Sequence, residues 1–348
     1  MPSSTPPLSS QSENLLADWR SRALHFETST GQIIVGQSRV IHLITLALFA
    51  RGHVMLEGDV GVGKTTLLRA VARGLGGSYE RIEGTVDLMP GDLLYHTYLN
   101  EAGKPQIDPG PLLKHGESLA VFFFNEVNRA RPQVHSLLLR VMAERRVSAF
   151  NREYAFPSLQ VFADRNRVER EETFEIPSAA RDRFMLELGM EIPHETELQK
   201  ALMFDTRFHD VDRLITRMEP GLIDYQGVAG IAETIQQAVA ASPTLEDYAL
   251  KLWLATRKPA DFSIRIDGVE MQNLIKAGAS PRGMSMMLRA ARVSAWLAGR
   301  RHLLPDDIQK AFIPTVAHRV IFNPVYELRR ESLCAELMQT ILNQVATP

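Results

Sequence analysis

Eight residues, Gly58-Asp59-Val60-Gly61-Val62-Gly63-Lys64-Thr65, fit the pattern G-x-x-x-x-G-K-[ST] at every fixed position. Each fixed residue has its own chemical task. The glycines let the backbone curl so that successive N–H groups face phosphate oxygens. Lys64 sets a compact positive charge against the β and γ phosphates, and the Thr65 hydroxyl is a ligand for Mg²⁺. Thr66 extends the same turn, so Gly58 to Thr66 form the expected nucleotide-binding stretch. A chance glycine-rich turn is the bland alternative, and the flanking residues argue against it.

Hydrolysis of a bound triphosphate needs more than this loop. A carboxylate at the end of an adjacent strand holds the metal, and a second orients the attacking water. The apolar run Leu119–Phe124 ends in Asn125-Glu126. Glu126 is placed to polarise water. Asn125 stands where a metal-holding acid is expected; its amide can accept a bond from a metal-bound water but brings no charge.

The elements that must position these groups can be read from the pattern. His53-Val54-Met55-Leu56 is a short apolar strand entering the loop, and Leu67, Leu68, Val71, Ala72 and Leu75 follow at helical spacing up to the stop Gly76-Gly77. This arrangement points a helix N-terminus at the phosphates. Further strands are expected at Tyr79–Ile82, Leu119–Phe124, Leu159–Ala163 and Phe184–Leu188, with a helix over Pro132–Arg145. Alternation of this kind predicts an α/β fold with a parallel sheet covered on both faces. Two hairpins are expected, over 95–107 turning at Asn100–Gly103 and over 147–156 turning near Asn151. From Pro193 onward helices are expected at Glu195–Leu214, Tyr225–Val239, Leu245–Ala255, Val269–Ala277 and Pro281–Gly299. The expected division is a Ser/Pro-rich disordered tail over 1–14, a nucleotide-binding core over 15–192, a helical domain over 193–322 and a C-terminal helix over 323–348. In that helix Leu333, Leu337, Ile341 and Val345 form a stripe suited to packing on the helical domain, or on a neighbouring subunit or client.

Composition bounds the function. Of 348 residues, 45% are hydrophobic and 23% charged, and the formal net charge is −2, so nothing in the bulk charge favours nucleic acid. The single cysteine, Cys334, excludes an internal disulfide and fits a reducing, cytoplasmic setting. The longest apolar stretch, Val40–Ala50, is too short to insert into a membrane.

The segment Asn125-Glu126-Val127-Asn128-Arg129-Ala130 resembles the D-E-[IV]-N-R-A segment of MoxR-type AAA+ ATPases. Collinear matches are Val35-Gly36-Gln37, Glu83-Gly84-Thr85 with Asp87-Leu88-Met89-Pro90, Pro109-Gly110-Pro111, Asp182-Arg183-Phe184 and Gly278-Ala279-Ser280-Pro281-Arg282. Together they run from about residue 33 to 321. The resemblance implies a P-loop AAA+ core with a five-stranded parallel sheet and a small all-helical lid, using ATP and Mg²⁺.

It also implies roles. Asn166 falls on the position that senses γ-phosphate after a buried strand. Arg183 falls on the arginine finger that reaches a neighbouring subunit's nucleotide, with Arg181 as a nearby competitor, since the motif L-P-E-A-Q-x-D-R-F stands here altered as Ile176–Phe184. Arg282 matches the second sensor, from the lid. Val35, Gly36 and Gln37 fall beside the adenine. The hairpins resemble two insertions of the wider clade, placed at a ring's central opening or packed on a neighbour.

Relatives of this type imply a homo-hexamer acting with a von Willebrand factor A-domain protein on a client enzyme complex. Phe122–Glu126 and Ala163–Arg167 resemble the branch linked to methanol dehydrogenase maturation, including metal insertion. Two other readings stay open at this point: a nucleotide-gated scaffold with weak hydrolysis, suggested by Asn125, and a DNA-dependent motor, which the charge disfavours.

Overall fold

The computed structural model describes residues 9–166 and 174–348. Helix α1 (Ser10–Ile33) and α2 (Ser38–Phe49) lead into β1 (His53–Glu57), the phosphate-binding loop and α3 (Lys64–Leu75). Then come β2 (Ser78–Glu83), the hairpin β3 (Tyr95–Leu99) and β4 (Pro105–Pro109), β5 (Leu119–Asn125) and α4 (Pro132–Glu144). The second hairpin, β6 (Arg146–Ala149) and β7 (Arg152–Ala155), precedes β8 (Gln160–Arg165), α5 (Ser178–Arg181) and β9 (Phe184–Gly189).

The main sheet has five strands in the order β2-β5-β8-β1-β9. Its β2–β5, β5–β8 and β1–β8 pairs are parallel. The carboxyl ends of β1, β5 and β8, neighbours or next neighbours in that order, carry the glycine loop, Asn125-Glu126 and Arg165-Asn166. Such an edge is where open α/β sheets bind ligands. β5 is apolar along its length because both of its faces are covered. Phe122 and Phe124 join Val134, Leu138 and Val141 of α4 in one buried cluster. Each such aromatic contributes roughly 1.5–3 kcal/mol by leaving water, so the edge that carries the site is fixed by a buried aromatic core.

The chain divides into two compact units. One holds residues 21–184 and 188–231; the other holds the described residues up to Arg20, Met185–Glu187 and Ala232–Pro348. The helices α6 (Thr196–Phe204) and α7 (Val211–Ile215) therefore cluster with the sheet, and the division expected at 193 falls near 231 instead. The single helix expected over Glu195–Leu214 is broken. Asp205 accepts from the Arg207 N–H and Asp210 from the Arg213 N–H, each starting a new turn.

The second unit is helical: the end of α8 (Val228–Ala238), α9 (Pro243–Arg257), α10 (Met271–Leu274), α11 (Pro281–Leu297), α12 (Pro305–Val316) and α13 (Arg330–Gln344). One ribbon interrupts it. Where a helix was expected to run to Ala277, β10 (Ile275–Ala277) pairs with β11 (Ile321–Phe322), held beside it by the Asn323 N–H bonded to the Leu274 carbonyl at 3.0 Å. The expected tail is also corrected. Residues 1–8 lie outside the described residues, but α1 begins at Ser10 because Leu16 and Trp19 are buried, the Trp296 indole donates to Leu16 O, and Glu13 pairs with Arg301 at 2.6 Å. The stripe Leu333, Leu337, Ile341 and Val345 is buried within the chain itself.

Candidate functional site

Gly61 and Gly63 take φ of 83° and 94°, a region closed to most side chains, and this curls the loop ahead of α3. No side chain caps α3 at Gly63, so its first-turn N–H groups remain as donors for an anion. Gly58 is buried where a Cβ would run into the Met190 carbonyl.

Lys64, at the start of α3, donates to the Gly58 carbonyl at 2.5 Å and lies 3.2 Å from Asp164 Oδ2. Asp164, on β8, is only 1% exposed, and its Oδ1 accepts from the Glu126 N–H at 2.6 Å. Burial pushes this carboxyl above the ordinary carboxylate range, while the Glu126 amide and the Lys64 ammonium pull it back. Asp164 thus joins Lys64 and Glu126, which were expected to act together.

Glu126 is held in a left-handed conformation, φ 51°, and its Oε2 accepts from Arg129 at 2.9 Å. The turn after it is fixed by the His135 imidazole, whose Nε2 lies 2.7 Å from the Val127 carbonyl. Burial pushes the His135 pKa down, which keeps the ring neutral for this bond. Gly84 has no room for a side chain against the Glu126 carbonyl, which gives the Glu83-Gly84-Thr85 segment a packing role behind the site. Asn125 points elsewhere: its Nδ2 donates to Glu83 Oε2 at the end of β2.

Asn166 follows Asp164 by two residues and is buried, and its Oδ1 has no hydrogen-bond partner. A buried amide oxygen left in this state costs free energy unless a ligand or water meets it. Arg167, beside it in the sequence, lies outside the described residues. Arg183 donates through Nη1 to the Ala179 carbonyl of α5 at 2.8 Å, and its buried Nε lacks a partner. Arg282 lies in the first turn of α11, exposed, after Ser280 caps that helix through the Gly283 N–H.

Val35 and Gln37 line a cavity of about 200 Å³ against Gly61, Gly63 and Thr66 of the loop. Gly36, φ 73°, packs against Pro193, and Gln37 donates to the Glu191 carbonyl at 2.5 Å. The far wall is Ile192, Pro193, Leu202, Phe208, Val211 and Leu214. An apolar slot opening onto a phosphate loop suits the flat ring of a purine base.

The ATPase family associated with various cellular activities (AAA) matches residues 53–186, and the AAA lid domain matches 271–339. Protein MoxR of Methylorubrum extorquens is 59% identical over 334 residues, covering 96% of this chain and 97% of that protein. The chain belongs to the MoxR family of AAA+ ATPases. Protein MoxR of Paracoccus denitrificans is 50% identical over 96% of the chain and 98% of its own length. Chaperone MoxR1 of Mycobacterium tuberculosis is 30% identical over 91% of the chain and 80% of its own. A crystal structure from Cytophaga hutchinsonii superposes with a TM-score of 0.83 at 27% identity, over 97% of this chain and 98% of that one.

As a MoxR-family AAA+ ATPase the chain is an ATP hydrolase. Sequence reasoning missed two features of this MoxR site. Asp164 was seen only as a letter in Ala163–Arg167, because a lone Asp at a strand end gives no sign of whether it faces solvent or Lys64. The far wall of the cavity was missed because most of its residues come from segments assigned to the lid.

Proposed function

We propose that this ATPase works as a ring, a homo-hexamer, whose hydrolysis cycle remodels or matures a partner protein complex in the manner of a chaperone. ATP is its substrate and Mg²⁺ its metal. Among the described residues no three His, Cys, Asp or Glu side chains form a cluster able to hold a metal alone. That fits Mg²⁺, which keeps several waters and shares its remaining positions between phosphate and one or two protein oxygens. Thr65 in the first turn of α3 is suited to supply one of them. When bound, the ion neutralises charge that builds on the phosphates.

The chain's own residues do the rest. The loop amides and Lys64 bind the phosphates, and the slot at Val35 and Gln37 orients the base. Glu126 accepts a proton from the attacking water, and the orphaned Asn166 Oδ1 accepts a hydrogen bond from that water. Arg183 and Arg282 are assigned to neutralise transition-state charge, Arg183 from a neighbouring subunit.

One observation carries the remodelling reading. The two hairpins stand together, with Tyr95 and Phe150 ring centroids 5.1 Å apart, and the face that carries Tyr95 also exposes Leu99 and Ile107. An apolar cluster of this kind on an ATPase is suited to grip polypeptide. The relatives named MoxR and Chaperone MoxR1 support the same direction. We assign the partners as a von Willebrand factor A-domain protein and a dehydrogenase complex that receives its metal, with methanol oxidation as the setting and the cytoplasm as the place. A pull-down with the Glu126→Gln variant in ATP tests this. Capture of such a protein by rings, lost on adding Leu99→Ser and Phe150→Ser, is expected. A monomer in ATP, or capture indifferent to the hairpins, would contradict it.

A further inference from the structure

The charge expected at the end of β5 is present one strand away. β5 and β8 are adjacent and parallel with Phe124 opposite Ala163, and Leu56 of β1 lies opposite Asp164. Asp164 therefore stands between the end of β5 and the strand that feeds the phosphate loop. Both of its oxygens are engaged, one with the Glu126 N–H and the other with Lys64 Nζ. Asn125 faces the opposite neighbour, Glu83, whose carboxylate also pairs with Arg81. An acid at 125 would meet a carboxylate there, whereas an amide donates to it.

We propose that Asp164 is the carboxylate that holds the nucleotide-bound Mg²⁺, through a metal-bound water, in place of the residue at 125. The inference rests on the use of Mg²⁺ proposed above. Its physical core is a substitution of cations. With no nucleotide, Lys64 neutralises Asp164 in a site almost closed to solvent. When the triphosphate draws Lys64 toward its own oxygens, a buried carboxylate would lose its partner, which is strongly unfavourable. A divalent cation arriving with the phosphates at the neighbouring Thr65 restores the balance. A purely structural Asp164 would hold the Glu126 amide and pair with Lys64 in the empty site, but it would leave the carboxylate without a cation once Lys64 turns to the triphosphate.

The test is the Mg²⁺ enhancement of nucleotide affinity: binding of a fluorescent ADP derivative to the full chain, in Mg²⁺ and in EDTA. Wild type, Asp164→Asn and Asp164→Ser are compared, with folding checked by circular dichroism. Expected is a loss of about tenfold or more in the enhancement, as for a lost hydrogen bond to a charged group, with affinity in EDTA changed less than about threefold. The serine variant gives the same reading should the asparagine variant not fold. Equal losses with and without Mg²⁺, or an undiminished enhancement, would overturn the assignment. A wild-type chain with no enhancement at all would instead remove the Mg²⁺ reading, and this inference with it.

Discussion

Glu126 carries backbone strain that its neighbours hold in place. A left-handed conformation costs a residue with a Cβ about 1–3 kcal/mol, and here the Asp164 carboxylate, the Arg129 guanidinium and the packed Gly84 over-determine it. The strain turns the chain just beyond the end of β5, at the residue proposed to activate water. Glu126→Gln keeps size and hydrogen bonding but cannot take the proton. It is expected to lower the rate of phosphate release by about 10²–10⁴-fold while ATP affinity, measured by titration, stays within about twofold of wild type, the ordinary size of an uncoupled neutral change. Asn125→Asp is the sharper case. A returned acid would speed hydrolysis if the site lacked charge. With Glu83 against it and Asp164 already present, turnover is expected to stay level or fall, and Glu83→Gln is expected to recover any loss, a coupling of about 0.5–3 kcal/mol in a double-mutant cycle. A rise in turnover for Asn125→Asp alone would count against both the Glu83 contact and the role of Asp164.

The elements that build the site were legible where periodicity and glycine chemistry are local. The strand, loop and helix from His53 to Leu75, and the hairpins at 95–109 and 146–155, could be read because their signals lie within a few residues. Helix breaks decided by side-chain caps were not, as at Asp205 and Asp210, where an acid reads equally well as a solvated helix residue. Ribbon β10–β11 was invisible for another reason: its strands pair across more than forty residues, and neither alternates long enough to show. Within the helical unit a buried acid joins α11 to α12. Arg300 grips Asp307 through two bonds of 2.7 and 2.8 Å, and the Ser294 hydroxyl and the Leu304 N–H also donate to it. Burial alone would raise the Asp307 carboxyl, yet these partners outweigh it and hold the group below its ordinary value. Its stabilising effect is therefore complete above about pH 4, the unfolded value, and is lost as the pH falls through the lower folded value. Asp307→Asn is expected to destabilise this unit by about 1–3 kcal/mol at pH 7, with the gap in melting temperature closing below about pH 4. A gap that persists unchanged at pH 3 would show that packing, not charge, is what the substitution removes.

At the scale of the whole molecule, the fold class and the nucleotide were readable from one loop, whereas the division of the chain was not. Residues 193–231 read as the start of a helical domain, yet Leu202, Phe208, Val211 and Leu214 line the cavity beside the glycine loop, which only the folded arrangement reveals. Arg183 poses the question that a single chain leaves to its assembly: it bonds its own helix α5, and its Nε is buried without a partner. In a ring it would serve the neighbouring nucleotide, and Arg183→Ala is expected to cost about 10³–10⁵-fold in turnover. Complementation tests this most directly. Arg183→Ala and Glu126→Gln chains are each expected to be inactive alone. Mixed equally in ATP, they would form head-to-tail interfaces in which one chain supplies Glu126 and its neighbour Arg183, so that about a quarter of the wild-type turnover returns. Mixed rings, verified by mass photometry with one chain tagged, that stay inactive would contradict a site shared between subunits.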